Sequence, residues 1–196
     1  MTLAPNEDLV SAYPHTWARL PAEARSELCR LCLSPEDLPH RLGPLVEEYG
    51  LPGHLREMAE LEAAVRECRH SGTRTDKYPS GLCLNPSLSM LQVQWGGLLE
   101  LMNSPDHTEA DPREDGLLSQ DNATGLLWWD PFRERVRLQP AQSEDLLVLK
   151  MVAEEIDPRE IAAENDLSPS RLYTLLHRGK NRGLLLGPAS RLQRPP

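Results

Sequence analysis

The sequence predicts an α+β chain in two parts. A mainly helical N-terminal domain over residues 1–102 ends in a β-hairpin, and in a second domain, 123–196, another hairpin leads into three short helices. Three observations carry this. Apolar residues ahead of Gly72 recur at helical spacing. Short apolar runs around Gly96-Gly97 and before Asp130-Pro131 alternate as strands do. Between the two parts, residues 103–122 are Asp, Glu, Pro, Ser and Asn with few apolar side chains, the composition of a flexible linker or a long exposed loop.

Taken in order, Leu20, Ala24, Leu28 and Leu31 predict a helix over residues 21–33. Ser34-Pro35-Glu36-Asp37 then offers an N-cap, a proline for the first turn and acids for the positive helix end. Over residues 54–69 the set Leu55, Met58, Leu61, Val65 and Cys68 steps by three or four, with charges on the other face, so this helix buries one stripe. Residues 89–95 alternate in part, and Gly96-Gly97 separates them from 98–102, which reads as a hairpin. The second hairpin joins residues 125–129 through Asp130-Pro131 to residues 133–138, where Arg135, Val136, Arg137 and Leu138 alternate. Of Trp128 and Trp129, one ring is expected inside and the other outside.

The last three helices have clear punctuation. Ser143 is a cap for a helix over residues 144–155, with Leu146, Leu149, Val152 and Ala153 on one face. Asp157-Pro158-Arg159-Glu160 starts the next as a capping box, and Asn165-Asp166 ends it, both residues that tolerate a left-handed turn. Ser168-Pro169 caps the third, which carries Leu172, Leu175 and Leu176 and is expected to break at Gly179 and Gly183 before Leu184-Leu185-Leu186.

Two short helices joined by a tight turn, with Ile161, Ala162, Leu167, Leu172 and Leu175 apolar, resemble the helix-turn-helix family of DNA-binding domains. Asn165 and Asp166 depart from it, standing where an apolar residue and a glycine are usual. Residues 182–186 resemble the strand that begins a wing, so the resemblance implies a winged helix-turn-helix domain and a transcriptional regulator. It further implies that Ser170, Arg171 and Thr174 face base edges while Arg178, Lys180 and Arg182 neutralise phosphates. Charge fits an anionic partner at this end. Residues 1–130 hold 10 Lys/Arg against 21 Asp/Glu, and residues 131–196 hold 11 against 9, with no acid after Asp166. A solvated basic tail balancing an acidic body is the competing reading.

The same segment, a strand pair over residues 125–138 followed by helices over 143–185, also resembles the peptide-chaperone family of peptide-derived cofactor biosynthesis. That resemblance implies a precursor peptide added as a strand to an open sheet edge, with Val136 and Leu138 lining side-chain pockets. The expected partners are therefore DNA, a peptide or protein, or a second copy of the chain.

Little else carries chemistry. Cys29 and Cys32, with Cys68 and Cys83, have the residue types of a four-thiolate zinc site, and His70 lies near Cys68 as a substitute ligand. However, Cys29, Cys32 and Cys68 sit within helical patterns where packed cysteines are the expectation, so neither metal nor cofactor is expected. There is no phosphate-binding loop, metalloprotease helix or nucleophile elbow, and no enzyme is expected. The acidic start, Met1 to Asp8, lacks an apolar signal segment and no apolar run is long enough to span a bilayer, which points to the cytoplasm and to no membrane partner.

Overall fold

A computed structural model describes residues 7–72, 81–103, 118 and 120–187. The chain is mixed α+β and packs as two units whose division does not follow chain order. The first comprises Met1–Glu67, Gln92–Gly125 and Leu138–Pro140; the second comprises Cys68–Leu91, Leu126–Arg137 and Ala141–Pro196. The expected boundary at residues 103–122 falls largely on 104–117 and 119, which lie outside the described residues. What differs is the composition of the second unit, because residues 68–91 belong to it and not to the N-terminal part.

In the first unit, α1 (Glu7–Ala12), α2 (Pro14–Arg19), α3 (Ala22–Leu31), α4 (Leu38–Glu48), α5 (His54–Gly72, its last turn counted with the second unit) and α6 (Gly97–Leu101) are helical. Leu20, Ala24 and Leu28 are buried as their spacing predicts, but Leu31 is exposed and Cys32 is buried in its place. The reason is local: α3 ends at Leu31, and Cys32 is already extended, so the helical period stops there. Before α4, the Asp37 carboxylate accepts the N–H groups of Leu33 and Ser34 at 3.0 and 2.9 Å, in a single 3-10 turn over Pro35–Asp37. In α5, Leu55, Met58, Leu61 and Cys68 of the expected stripe are buried, with Ala59 beside them, while Val65 is only partly buried.

The hairpin expected about Gly96-Gly97 is not formed. Residues 89–93 are a strand, but the second run is α6, with Leu98, Leu99 and Leu101 buried at helical spacing. Gly96 is right-handed helical (φ −53°, ψ −36°) and not in a hairpin turn. The strand stops because Gln94 and Trp95 give their N–H groups to the Glu57 carboxylate, at 2.7 and 2.9 Å, and not to a partner strand.

Five strands occur among the described residues: β1 (Cys83–Leu84), β2 (Ser89–Val93), β3 (Ala123–Asp130), β4 (Arg135–Pro140) and β5 (Leu185–Leu186). One sheet has the order β2-β3-β4, so β4 is an edge; the other pairs β1 with β5 antiparallel, Cys83 opposite Leu186. The expected β3–β4 hairpin is present, and its rings divide as alternation requires, Trp128 fully buried and Trp129 partly.

Helices α7 (Ser143–Ala153), α8 (Pro158–Glu164) and α9 (Pro169–Asn181) complete the second unit. Ser143 begins α7 and does not cap it, since Gln142 holds the cap position. Asp157 caps α8 by accepting the Arg159 N–H at 2.7 Å, and Ser168 caps α9 through the Arg171 N–H at 3.2 Å. Asp166 takes φ +52°, the left-handed turn expected of it. Gly179 does not break α9: a Cβ there would lie 3.2 Å from Leu185 Cδ1, so the glycine lets β5 pack against the helix. Gly183, at φ +77°, is the stop. Leu126, Trp128, Leu149, Ile161, Leu175 and Leu185 lie in one apolar core.

Candidate functional site

Helix α9 exposes Ser170, Arg171 and Thr174, as the DNA expectation requires, but their polar groups are engaged nearby. The Ser170 hydroxyl lies 3.1 Å from that of Ser168, and the Thr174 hydroxyl donates to the Ser170 carbonyl at 2.9 Å. Arg171 is ion-paired to Glu144 of α7. Arg178 meets both Glu144 and Asp145, at 3.0 and 3.1 Å. Arg182 meets both oxygens of Asp145 at 2.7 and 2.8 Å. Asp145 is only 4% exposed. Bonding from Arg171 in turn holds the Glu144 carboxyl below its ordinary value. Lys180 is half-buried. Of the four cations expected to meet phosphates or bases, Arg171 and Arg178 of α9 and Arg182 just past its end thus already face carboxylates of α7.

The preceding helix is strongly acidic. Around α8, Glu154, Glu155, Asp157, Glu160, Glu164 and Asp166 are all exposed, against one basic residue, Arg159.

A second group of cations gathers where β3 turns into β4. Asp130 is fully buried and accepts the N–H groups of Phe132 and Arg133 at 3.0 and 3.3 Å, which shapes the turn. Its other oxygen takes the Arg133 guanidinium at 3.0 Å and lies 3.9 Å from that of Arg137. Arg137 and Arg182 both lie over the Trp128 ring, 5.9 and 5.8 Å from its centroid. Burial lowers the pKa of Arg137, and the charges of Arg135, Arg133 and Arg182 act the same way while Asp130 opposes them. Arg135 is exposed and makes no ion pair among the described residues. The sequence signal for this cluster is the recurrence of Arg133, Arg135 and Arg137; Arg133 lies in the turn, and the strand places Arg135 and Arg137 toward one side.

Two residues without a sequence signal hold the frame. Asn85, 5% exposed, donates through Nδ2 to the carbonyls of Trp129 and Gly183 at 2.8 and 2.7 Å and accepts the Ser87 N–H and hydroxyl at 2.9 and 2.7 Å. In the first unit, Glu62 accepts the N–H groups of His15 and Thr16 at 2.8 and 3.1 Å. Burial pushes its carboxyl up to about 7, against the pull of those bonds and of the Arg19 charge.

Among the described residues no group of three or more His, Cys, Asp or Glu side chains is placed to hold a metal. Cys32 is buried, which with the Asp37 charge raises its thiol to about 11, and Cys68 is also buried; Cys83 points its thiol at the Leu84 carbonyl. Leu138, expected to line a pocket, is buried instead, within reach of Gly125. No helix among the described residues is long and apolar enough to cross a membrane. Neither the protein-family models nor the curated proteins give a match to this chain.

Proposed function

We propose that the second unit is a winged-helix recognition module that takes up an extended peptide or protein segment along its own part of β4, residues 135–137, rather than a reader of DNA. The observation that carries this is the position of β4 at the edge of the β2-β3-β4 sheet, beside the arginine cluster. An edge strand presents unpaired N–H and C=O groups on one side, the usual template for strand addition. The Leu138 carbonyl accepts from the Asn103 side chain, so it faces off the ladder, and by the two-residue period Val136 turns its N–H and C=O the same way.

The helices argue against the nucleic acid. In the helix-turn-helix geometry the first helix of the pair crosses the phosphate backbone. That helix is α8, whose six flanking and internal acids would repel phosphates, while Glu144 and Asp145 compete for Arg171, Arg178 and Arg182.

A peptide-display selection against the full chain, run beside titration of a labelled random duplex at low salt, tests the reading. The expected result is enrichment of peptides whose binding is lost in Val136→Pro, which removes an edge donor, with weak duplex binding. Tight, salt-dependent duplex binding and no enriched peptide would return the module to DNA.

A further inference from the structure

Resting on that reading, we infer that the segment taken up by β4 is acidic, with carboxylates at alternate positions opposite Arg135 and Arg137. Residues two apart on a strand share a face, so Arg135 and Arg137 stand side by side. The face is the one toward the helices, because the Arg137 guanidinium lies over Trp128, a ring fully buried against α7–α9.

Positive charge is in surplus there. Asp130 is divided between Arg133 at 3.0 Å and Arg137 at 3.9 Å, and it also holds the turn N–H groups of Phe132 and Arg133. Arg182 is turned to Asp145. That leaves Arg135 unopposed among the described residues and Arg137 with a long, shared partner. Burial lowers the pKa of Arg137, and the charges of Arg135, Arg133 and Arg182 act the same way while Asp130 opposes them.

A strand added outside β4 sets its alternate side chains directly beside this row. Opposite charges on neighbouring strands attract when they share a face, so carboxylates at every second position meet the arginines. Intervening positions fall on the opposite face, beside Val136. Consecutive acids would send half their charge to that side. The partner's signature is therefore an alternation of acidic and apolar or β-branched residues.

The test uses the full chain and three labelled peptides of one length: glutamate alternating with valine, the same peptide with glutamine for glutamate, and the same residues with the glutamates in one block. The alternating acidic peptide is expected to bind about tenfold more tightly than the glutamine peptide at low salt, with the gap narrowing as salt rises. It should also exceed the blocked peptide. Arg135→Glu, at an exposed position, should leave the thermal melt unchanged and erase the advantage. Equal binding of the glutamate and glutamine peptides, both lost in Val136→Pro, overturns the acidic preference while leaving strand addition standing. Equal binding of the alternating and blocked peptides overturns the register. Failure of all three to bind, together with no peptide selected by display, overturns both the inference and the reading beneath it.

Discussion

Arg182 closes on Asp145 with one guanidinium nitrogen 2.7 and 2.8 Å from the two carboxylate oxygens. This pair ties the end of α9 to the start of α7, with Arg178 added at 3.1 Å. A guanidinium so held is part of the frame before it is part of any ligand site. Asp145→Ala removes a buried carboxylate that Arg178 and Arg182 share, leaving Arg178 its Glu144 pair, and is expected to cost about 2–4 kcal/mol. Arg171→Ala, in an exposed pair, should cost under about 1 kcal/mol. Urea denaturation of both variants checks the contrast, and equal losses would contradict it.

Asn85 leads to a second expectation. Its side chain satisfies the carbonyls of Trp129 and Gly183, residues distant in sequence, and β1 beside it is the partner of β5. A fragment of residues 123–196 lacks both, whereas 68–196 retains them. The shorter fragment should melt without cooperativity and the longer one with it. Asn85→Ala in the full chain strands several buried polar groups and should cost about 2–4 kcal/mol. A cooperative melt for the shorter fragment would restore the boundary expected from the linker composition.

Local signals were the legible part of the fold. Asp157, Asp166 and Ser168 act within three residues of themselves, so their chemistry can be read from neighbours alone, and the structure uses each as its type suggests. Gly96-Gly97 shows the limit. A glycine pair between apolar runs suits a hairpin, and what decides for a helix is Glu57, almost forty positions earlier, taking the N–H groups that would extend the strand. The pairing of β1 with β5 and the Asn85 bonds cross still longer separations without a periodic signature. At the candidate site, the arginines of α9 were visible but their opposing carboxylates were not, because Glu144 to Arg171 is a contact between helices. Arg135 and Arg137 of β4 were open to reading as a row, and only the buried position of Trp128 tells which side of the sheet they flank.

Glu62 makes stability depend on pH. Its folded pKa of about 7 lies above the ordinary glutamate value, mainly through burial. The folded state therefore holds a proton that the unfolded chain releases at lower pH. The stability from this group is fully present below the unfolded pKa and is lost as pH rises through about 7. Glu62→Gln cannot ionise, yet its amide oxygen can still accept from Thr16 or His15. Unfolding free energy measured between about pH 5 and pH 8 should fall less with pH in Glu62→Gln than in the parent chain. Parallel slopes would contradict the assignment.

The central claim, that β4 and not α9 receives the partner, is tested most directly by amide hydrogen exchange. Bring the full chain together with the tightest peptide selected by display, and separately with duplex DNA at low salt, and follow the amides of Val136 and of Ser170 to Thr174. Strand addition converts an open edge N–H into a ladder hydrogen bond, so the Val136 amide should slow markedly with peptide while α9 stays unchanged. Protection of α9 by duplex, with no change at Val136 under either ligand, would contradict the account.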